Sequence, residues 1–113
     1  MSAPRAISTD AAPRAIGPYS QAVLAGGMLY CSGQIGLRPG AGALVEGGVA
    51  AEAEQALDNL DAVCAAAGCS LAAAVRTTIY LTDLDDFATV NELYARRFGA
   101  PLPARATVEV AAL

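Results

Sequence analysis

The sequence predicts one α+β domain over residues 1–113, with the element order β-β-β-α-β-α-β. Several short segments alternate apolar and polar residues with the period of two that is typical of half-buried strands. Two longer segments instead carry apolar residues at helical spacing. Because amphipathic helices that alternate with strands bury their apolar stripes on a sheet, we expect one mixed β-sheet with both helices on one face.

The first three strands are expected in the N-terminal third of the chain, at residues 6–8, 22–25 and 28–37. Gly26 and Gly27 separate the second strand from the third, and such a glycine pair is a strong signal for a tight hairpin. Gly33 and Gly36 indicate a bulge or a close backbone approach within the third strand. The glycine-rich segment at residues 38–48 is predicted to be an exposed loop.

The first predicted helix spans residues 49–67. Its apolar positions form a single stripe at Ala53, Ala56, Leu57, Leu60, Val63, Cys64 and Ala67. Gly68 is the expected stop, because glycine readily adopts the left-handed conformation that ends many helices. A second amphipathic helix is expected to follow the acidic turn at residues 83–86 and to end near Phe98.

The strand between the helices is predicted at residues 75–82. Its alternation directs Thr77 and Ile79 towards the helices and Thr78 and Tyr80 to the opposite face. That opposite face is too mixed for a core and too apolar for a free surface, so we expect it to be buried between subunits.

The last strand follows two prolines, which prevent a helix from continuing, and alternates from Arg105. Arg105, Thr107 and Glu109 share one face of it, and we place Arg105 and Thr107 on the same sheet face as Tyr80. An arginine held at the start of a strand needs an anionic partner. The residues alone leave two partners open, either an acidic side chain such as Glu109 or the carboxylate or phosphate of a ligand.

Composition excludes several kinds of chemistry. The chain has no histidine and no lysine, so histidine bases, histidine metal sites, Schiff-base lysines and P-loops are all excluded. The net charge of −4 does not favour nucleic-acid binding, which depends on neutralising phosphates. No segment is long and apolar enough to span a bilayer, and we expect a cytoplasmic protein.

Three cysteines, Cys31, Cys64 and Cys69, are an odd number without a CxxC pair. We expect reduced, mostly buried thiols of low reactivity. Among polar candidates, Tyr19 is either a packed aromatic or a pocket wall. Asn91 is expected to be buried and to satisfy backbone groups.

Ser32 and Gly33 end the third predicted strand, where side chain and backbone can both reach a ligand. The alternative for this pair is an ordinary turn. Neither residue decides between the two interpretations by itself.

Four motifs occur in order along the chain, at residues 16–22 (IGPYSQA), 32–35 (SGQI), 89–94 (TVNELY) and 103–111 (PARATVEVA). Together they resemble the RidA/YjgF family of imine deaminases, which is also labelled endoribonuclease L-PSP. The resemblance runs from about residue 5 to the end of the chain.

This resemblance implies a chorismate-mutase-like fold and a homotrimer whose sheets form a central barrel. It implies ligand pockets at the subunit interfaces and hydrolysis of 2-imino acids and their enamine tautomers to 2-keto acids and ammonia. The implied substrates include 2-iminopropanoate and 2-iminobutanoate, and no metal or cofactor is expected.

The resemblance also assigns site residues. The carboxylate-binding arginine of the family falls on Arg105, the pocket tyrosine on Tyr19, and the pocket serine and glycine on Ser32 and Gly33. Thr107 occupies a position that is often cysteine in the family, and its hydroxyl can donate to a ligand or hold a water.

Family members continue into a further strand with a glutamate that is thought to handle the catalytic water, whereas this sequence stops at Leu113. We expect either an incomplete chain or a defective variant, with an exposed edge on the preceding strand. A non-enzymatic ligand-binding or chaperone-like trimer is therefore the main alternative to a deaminase. An endoribonuclease is the other, and the acidic charge argues against it.

Overall fold

A computed structural model describes residues 3–113, and their elements follow the predicted order. The strands are β1 (Arg5–Ile7), β2 (Ala22–Ala25), β3 (Met28–Cys31), β4 (Arg76–Leu81) and β5 (Ala104–Glu109). The helices are α1 (Gly48–Ala66) and α2 (Phe87–Ala95), and two short 3-10 turns lie at Leu71–Ala73 and Leu84–Asp86. Neither helix of this part of the chain is long and apolar enough to cross a membrane.

The strands do not form the expected single mixed sheet. Within residues 3–113, β1, β2 and β3 make an antiparallel sheet, and β4 and β5 make a separate parallel pair. The two sheets belong to two compact units, an N-terminal unit that ends at Ser70 and a C-terminal unit that begins at Leu71. Alternation along a strand shows which residues share a face but not which strand is its neighbour, so the pattern did not reveal this division.

The N-terminal unit packs α1 against one face of its sheet. Its buried cluster consists of Ile7, Ala12, Ala22 and Val63. Gly26 and Gly27 make the predicted hairpin turn, with φ of 57° and 78°, values in the left-handed region that favours glycine. The small side chains of this cluster let helix and sheet approach closely, as the alanine-rich stripe of α1 predicts.

The third strand is shorter than predicted, because β3 ends at Cys31. Beyond it, the chain is held by the side chain of Asn59 on α1, whose amide nitrogen donates to the carbonyls of Leu37 at 2.8 Å and Ile35 at 3.3 Å. The predicted close approach is confirmed at Gly36, where an added Cβ would lie 2.7 Å from the Cα of Glu52. This segment therefore packs on the helix instead of extending the sheet.

The C-terminal unit packs α2 on the β4–β5 pair. Val90, Leu93 and Tyr94 of α2 are buried, and the hydroxyls of Thr77 and Tyr94 are hydrogen-bonded at 2.5 Å. The Tyr94 and Phe98 rings stack with their centroids 4.2 Å apart. Thr77 thus faces the helix, as its alternation predicts.

The prediction that Arg105 and Thr107 share a sheet face with Tyr80 is wrong. In the parallel ladder, Arg105 is the partner of Thr77 and Thr107 is the partner of Ile79, and partners in register point to the same side. Arg105 and Thr107 therefore lie on the helix face, while Tyr80 lies on the other face. The sequence pattern shows which residues of one strand share a face, but only the strand pairing shows which residues of two strands share a face.

Candidate functional site

Arg105 lies at the start of β5, beside two aromatic rings of the same unit. Its guanidinium carbon is 4.9 Å from the centroid of the Tyr94 ring and 5.5 Å from that of Phe87. The faces of aromatic rings attract a cation without neutralising it. The rings therefore orient the guanidinium and leave its N–H groups available to an anion.

The carboxylate that the sequence offered as a partner for Arg105 is engaged elsewhere. The Oε1 of Glu109 accepts a hydrogen bond from the backbone N–H of Leu84 at 2.9 Å. Within residues 3–113, no carboxylate forms an ion pair with Arg105. The interpretation of Arg105 and Glu109 as a structural ion pair is therefore wrong for this structure.

Arg105 opens onto a surface cavity of about 380 Å³. The cavity, here called the Arg105 cavity, is lined by Asn91, Tyr94, Ala95, Leu102, Pro103 and Arg105. It combines one cation, one side-chain amide and a largely apolar wall, which is a composition suited to a small organic anion.

Asn91 is half-buried in the wall of this cavity. The expectation that it is buried and satisfies backbone groups is wrong, because no residue in the described part of the chain hydrogen-bonds to its amide. An amide that is free at a cavity wall can donate to a ligand and accept from it.

Thr107 lies two residues after Arg105 on the same face of β5. Its Oγ1 is buried, and within residues 3–113 it has no hydrogen-bond partner. Because a buried hydroxyl without a partner is unfavourable by about 1–3 kcal/mol, such groups are uncommon in proteins. The Thr107 hydroxyl is therefore available to donate to a ligand or a water, or to accept from one.

The other predicted site residues lie in the N-terminal unit. Tyr19 is half-exposed, and its hydroxyl accepts from the backbone N–H of Ile16 at 3.3 Å. Ser32 donates from its hydroxyl to the carbonyl of Ser20 at 2.6 Å, so it holds the residue that follows Tyr19. The structure thus brings Tyr19, Ser32 and Gly33 to the same end of their sheet.

Neither packing nor backbone conformation within the N-terminal unit requires a glycine at position 33. An added Cβ would meet no atom within 4 Å, and Gly33 does not have a positive φ. The turn alternative for Ser32 and Gly33 is thus supported by the Ser32 hydrogen bond but gives no reason for the glycine.

A family model described as endoribonuclease L-PSP matches residues 9–113, which is nearly the whole chain. The chain belongs to the endoribonuclease L-PSP family. The resemblance found in the four sequence motifs is therefore confirmed.

Relatives of this L-PSP family member are close in sequence and structure. The human protein named 2-iminobutanoate/2-iminopropanoate deaminase is 56% identical over 109 residues, which cover 96% of this chain and 80% of the human protein. The crystal structure of RidA from an Antarctic Psychrobacter is 50% identical with a TM-score of 0.91, covering 96% of this chain and 88% of that one. The Escherichia coli YjgF structure is 45% identical with a TM-score of 0.86, covering 96% and 87%.

Two structural residues of this L-PSP family member were missed by sequence reasoning. Gln21 is 5% exposed, and its side-chain amide donates to the carbonyls of Pro13 at 2.7 Å and Thr9 at 3.0 Å while its Oε1 accepts from the N–H of Thr9 at 2.7 Å. Asn59 is 1% exposed and interrupts the apolar stripe of α1. A lone amide within an apolar helical stripe was the available signal, since buried amides are hydrogen-bonded.

The cysteines also differ from expectation. Cys64 is buried, but Cys31 and Cys69 are exposed. The prediction of mostly buried thiols is therefore wrong for two of the three.

Proposed function

We propose that this protein hydrolyses reactive 2-imino acids and their enamine tautomers to 2-keto acids and ammonia. The substrates we assign are 2-iminopropanoate and 2-iminobutanoate, which are the imino acids in the name of the human relative. The observation that carries the proposal is Arg105, a cation that borders a cavity and has no carboxylate partner within residues 3–113.

The substrate carboxylate is the anion that Arg105 is suited to hold. A guanidinium offers two parallel N–H groups in the geometry of a carboxylate, so the grip is bidentate and fixes the plane of the ligand. Tyr94 and Phe87 hold the guanidinium from one side and reduce its freedom before the ligand arrives.

The chemical step requires little beyond positioning. The imine carbon is already electrophilic, water adds to it, and the C–N bond breaks to release ammonia and leave a keto group. Holding the imino acid beside a water therefore supplies most of the rate gain. We assign Thr107 to hold that water or to donate to the substrate, because its Oγ1 is buried and unpaired within the described residues. The proposed step uses neither metal nor cofactor.

We assign Tyr19, Ser32 and Gly33 to the remaining walls of a substrate pocket. We also propose that the chain is a single domain and that it assembles as a homotrimer with a central barrel of sheets. Each unit supports assembly by exposing apolar residues on the outer face of its sheet. Met28 and Tyr30 are 44% and 62% exposed in the N-terminal unit, and Tyr80 and Val108 are 55% and 40% exposed in the C-terminal unit. Apolar faces of this kind are buried between subunits in oligomers.

The experiment that tests the activity generates 2-iminobutanoate with an amino-acid oxidase and follows ammonia release with and without the protein. Arg105→Ala is expected to abolish the acceleration. Arg38→Ala removes the same charge from an exposed loop and is expected to retain it. Wild-type protein that binds keto acids without accelerating hydrolysis would instead support the non-enzymatic alternative.

A separate measurement tests the assembly. Multi-angle light scattering at micromolar concentration is expected to give three times the chain mass. A stable monomer would contradict the trimer. A cytoplasmic location remains a prediction that fractionation of the source cells would test.

A further inference from the structure

Three thiols meet in the N-terminal unit at the end of α1. Cys64 lies in the last turns of α1, and Cys69 follows Gly68, whose φ of 85° ends the helix. The backbone N–H of Cys69 donates to the carbonyl of Cys64 at 2.9 Å, and the Cys69 thiol approaches the same oxygen at 3.5 Å. This turn brings the two cysteines together although they are five positions apart in the chain.

The packing of α1 on the sheet places Cys31 of β3 near the same end of α1. Cys31 is the ladder partner of Ala22, so both side chains lie on one face of the sheet. Ala22 belongs to the buried cluster that includes Val63, the residue before Cys64. Leu29, two residues before Cys31 on β3, packs on this cluster as well. Cys31 therefore faces the end of α1, and its thiol is hydrogen-bonded to that of Cys64.

The two thiols are electronically unequal. The hydrogen bond with the Cys64 thiol lowers the pKa of Cys31 below its usual value, and the same bond together with burial raises the pKa of Cys64. Cys31 is also exposed, whereas Cys64 is buried. A reactive cysteine is a solvent-accessible thiolate beside a second thiol that can resolve it, and this pair has that arrangement.

We propose that Cys31 and Cys64 are a reversible disulfide pair, with Cys31 as the attacking thiol and a hydroperoxide as the oxidant. The Cys31 thiolate attacks the peroxide oxygen, the O–O bond breaks, and Cys31 becomes a sulfenic acid as the peroxide is reduced. The Cys64 sulfur then attacks the Cys31 sulfur, the S–O bond breaks, and water leaves. Together the two thiols lose two electrons and two protons.

The bond would fasten the end of β3 to the end of α1. Cys31 immediately precedes Ser32 and Gly33, the candidate pocket residues of this unit. Oxidation therefore acts on the segment that carries them, while the thiol chemistry itself does not depend on the proposed deaminase activity.

Peptide mapping of the full chain after treatment with hydrogen peroxide tests the pair. The protease Glu-C cleaves after Glu46 and thereby separates Cys31 from the peptide with Cys64 and Cys69. The expected result is a linked pair of peptides that dithiothreitol separates. Cys69→Ser is expected to retain the link, and Cys31→Ser is expected to lose it without loss of the fold, because Cys31 is exposed.

Alkylation of the native, reduced protein gives a second readout. Iodoacetamide is expected to label Cys31 at least about tenfold faster than Cys64. Irreversible oxidation of Cys31 without a link, a link from Cys64 to Cys69, or a link from Cys31 that Cys69→Ser abolishes would each overturn the proposal.

Discussion

Within the described residues, the N-terminal unit satisfies its most buried polar side chains, whereas the C-terminal unit leaves one buried hydroxyl without a partner. In the N-terminal unit, Gln21 and Asn59 are almost fully buried, and their side-chain amides are hydrogen-bonded to backbone carbonyls. In the C-terminal unit, within the described residues, the Oγ1 of Thr107 is buried without a partner, and the exposed Arg105 has no ion pair. Satisfied polar groups stabilise a fold, whereas unsatisfied ones cost stability and are retained where a ligand completes them.

Removing the cation from Arg105 is expected to have the largest effect. Arg105 is exposed in the single chain, but in the proposed trimer the ligand and a neighbouring subunit would cover it. Arg105→Ala should then weaken 2-keto-acid binding by about 2–5 kcal/mol, the range for truncating one partner of a buried charge pair. Arg105→Lys should also bind much more weakly, because lysine keeps the charge but not the bidentate geometry. Calorimetric titration with 2-ketobutyrate measures both variants.

The same variants separate a ligand role for Arg105 from a structural one. The folded state of Arg105→Ala loses only contacts with Tyr94 and Phe87, each of which is weak at a partly exposed site, about 0.5–1 kcal/mol. Unchanged keto-acid affinity together with a much lower melting temperature would contradict the assigned role.

Asn59 is expected to show the opposite behaviour. Asn59→Ala leaves the carbonyl of Leu37 without the amide donor and the carbonyl of Ile35 with only the N–H of Leu37. It should lower the free energy of unfolding by about 1–3 kcal/mol. Keto-acid affinity should change little once the protein is folded. Urea titration measures the free energy of unfolding, and Glu92→Ala, which truncates an exposed side chain on α2, is the control. Equal destabilisation by both variants would show that the amide is not the cause.

Thr107→Val sharpens the contrast further, because valine has nearly the shape of threonine without the hydroxyl. Because the native hydroxyl has no partner within the described residues, its removal should not lower the melting temperature. The free energy of unfolding should stay the same or rise by up to about 1 kcal/mol. Deamination should nevertheless slow if the hydroxyl contacts the substrate or its water. A variant that loses stability and keeps full activity would mean that Thr107 is structural.

Glu109→Gln should have the smallest effect. The substituted side chain retains an amide oxygen that can accept from the backbone N–H of Leu84, so stability should fall by less than about 1 kcal/mol. Keto-acid affinity should stay nearly constant, because Glu109 is engaged with Leu84 and not with Arg105. A clear rise in affinity would mean that Glu109 competes with the ligand for Arg105.

Much of the secondary structure was predictable because its signals are local. The hairpin at Gly26 and Gly27, the apolar stripe of α1 and the helix stop at Gly68 follow from backbone conformation and side-chain spacing. The rigid extension before Arg105 follows from two prolines in the same way. The resemblance of four motifs, not the periodicity, assigned Arg105, Thr107, Tyr19, Ser32 and Gly33 to a site.

Tertiary structure alone decided what depends on pairs of residues distant in the chain. The register of β4 and β5 moved Arg105 and Thr107 to the face of α2, and strand pairing divided the expected sheet into two. Packing of α1 on the first sheet brought Cys31 to Cys64. The physical reason is that alternation and helical spacing report only which side of its own element a residue faces, whereas strand register and helix packing decide what it meets there.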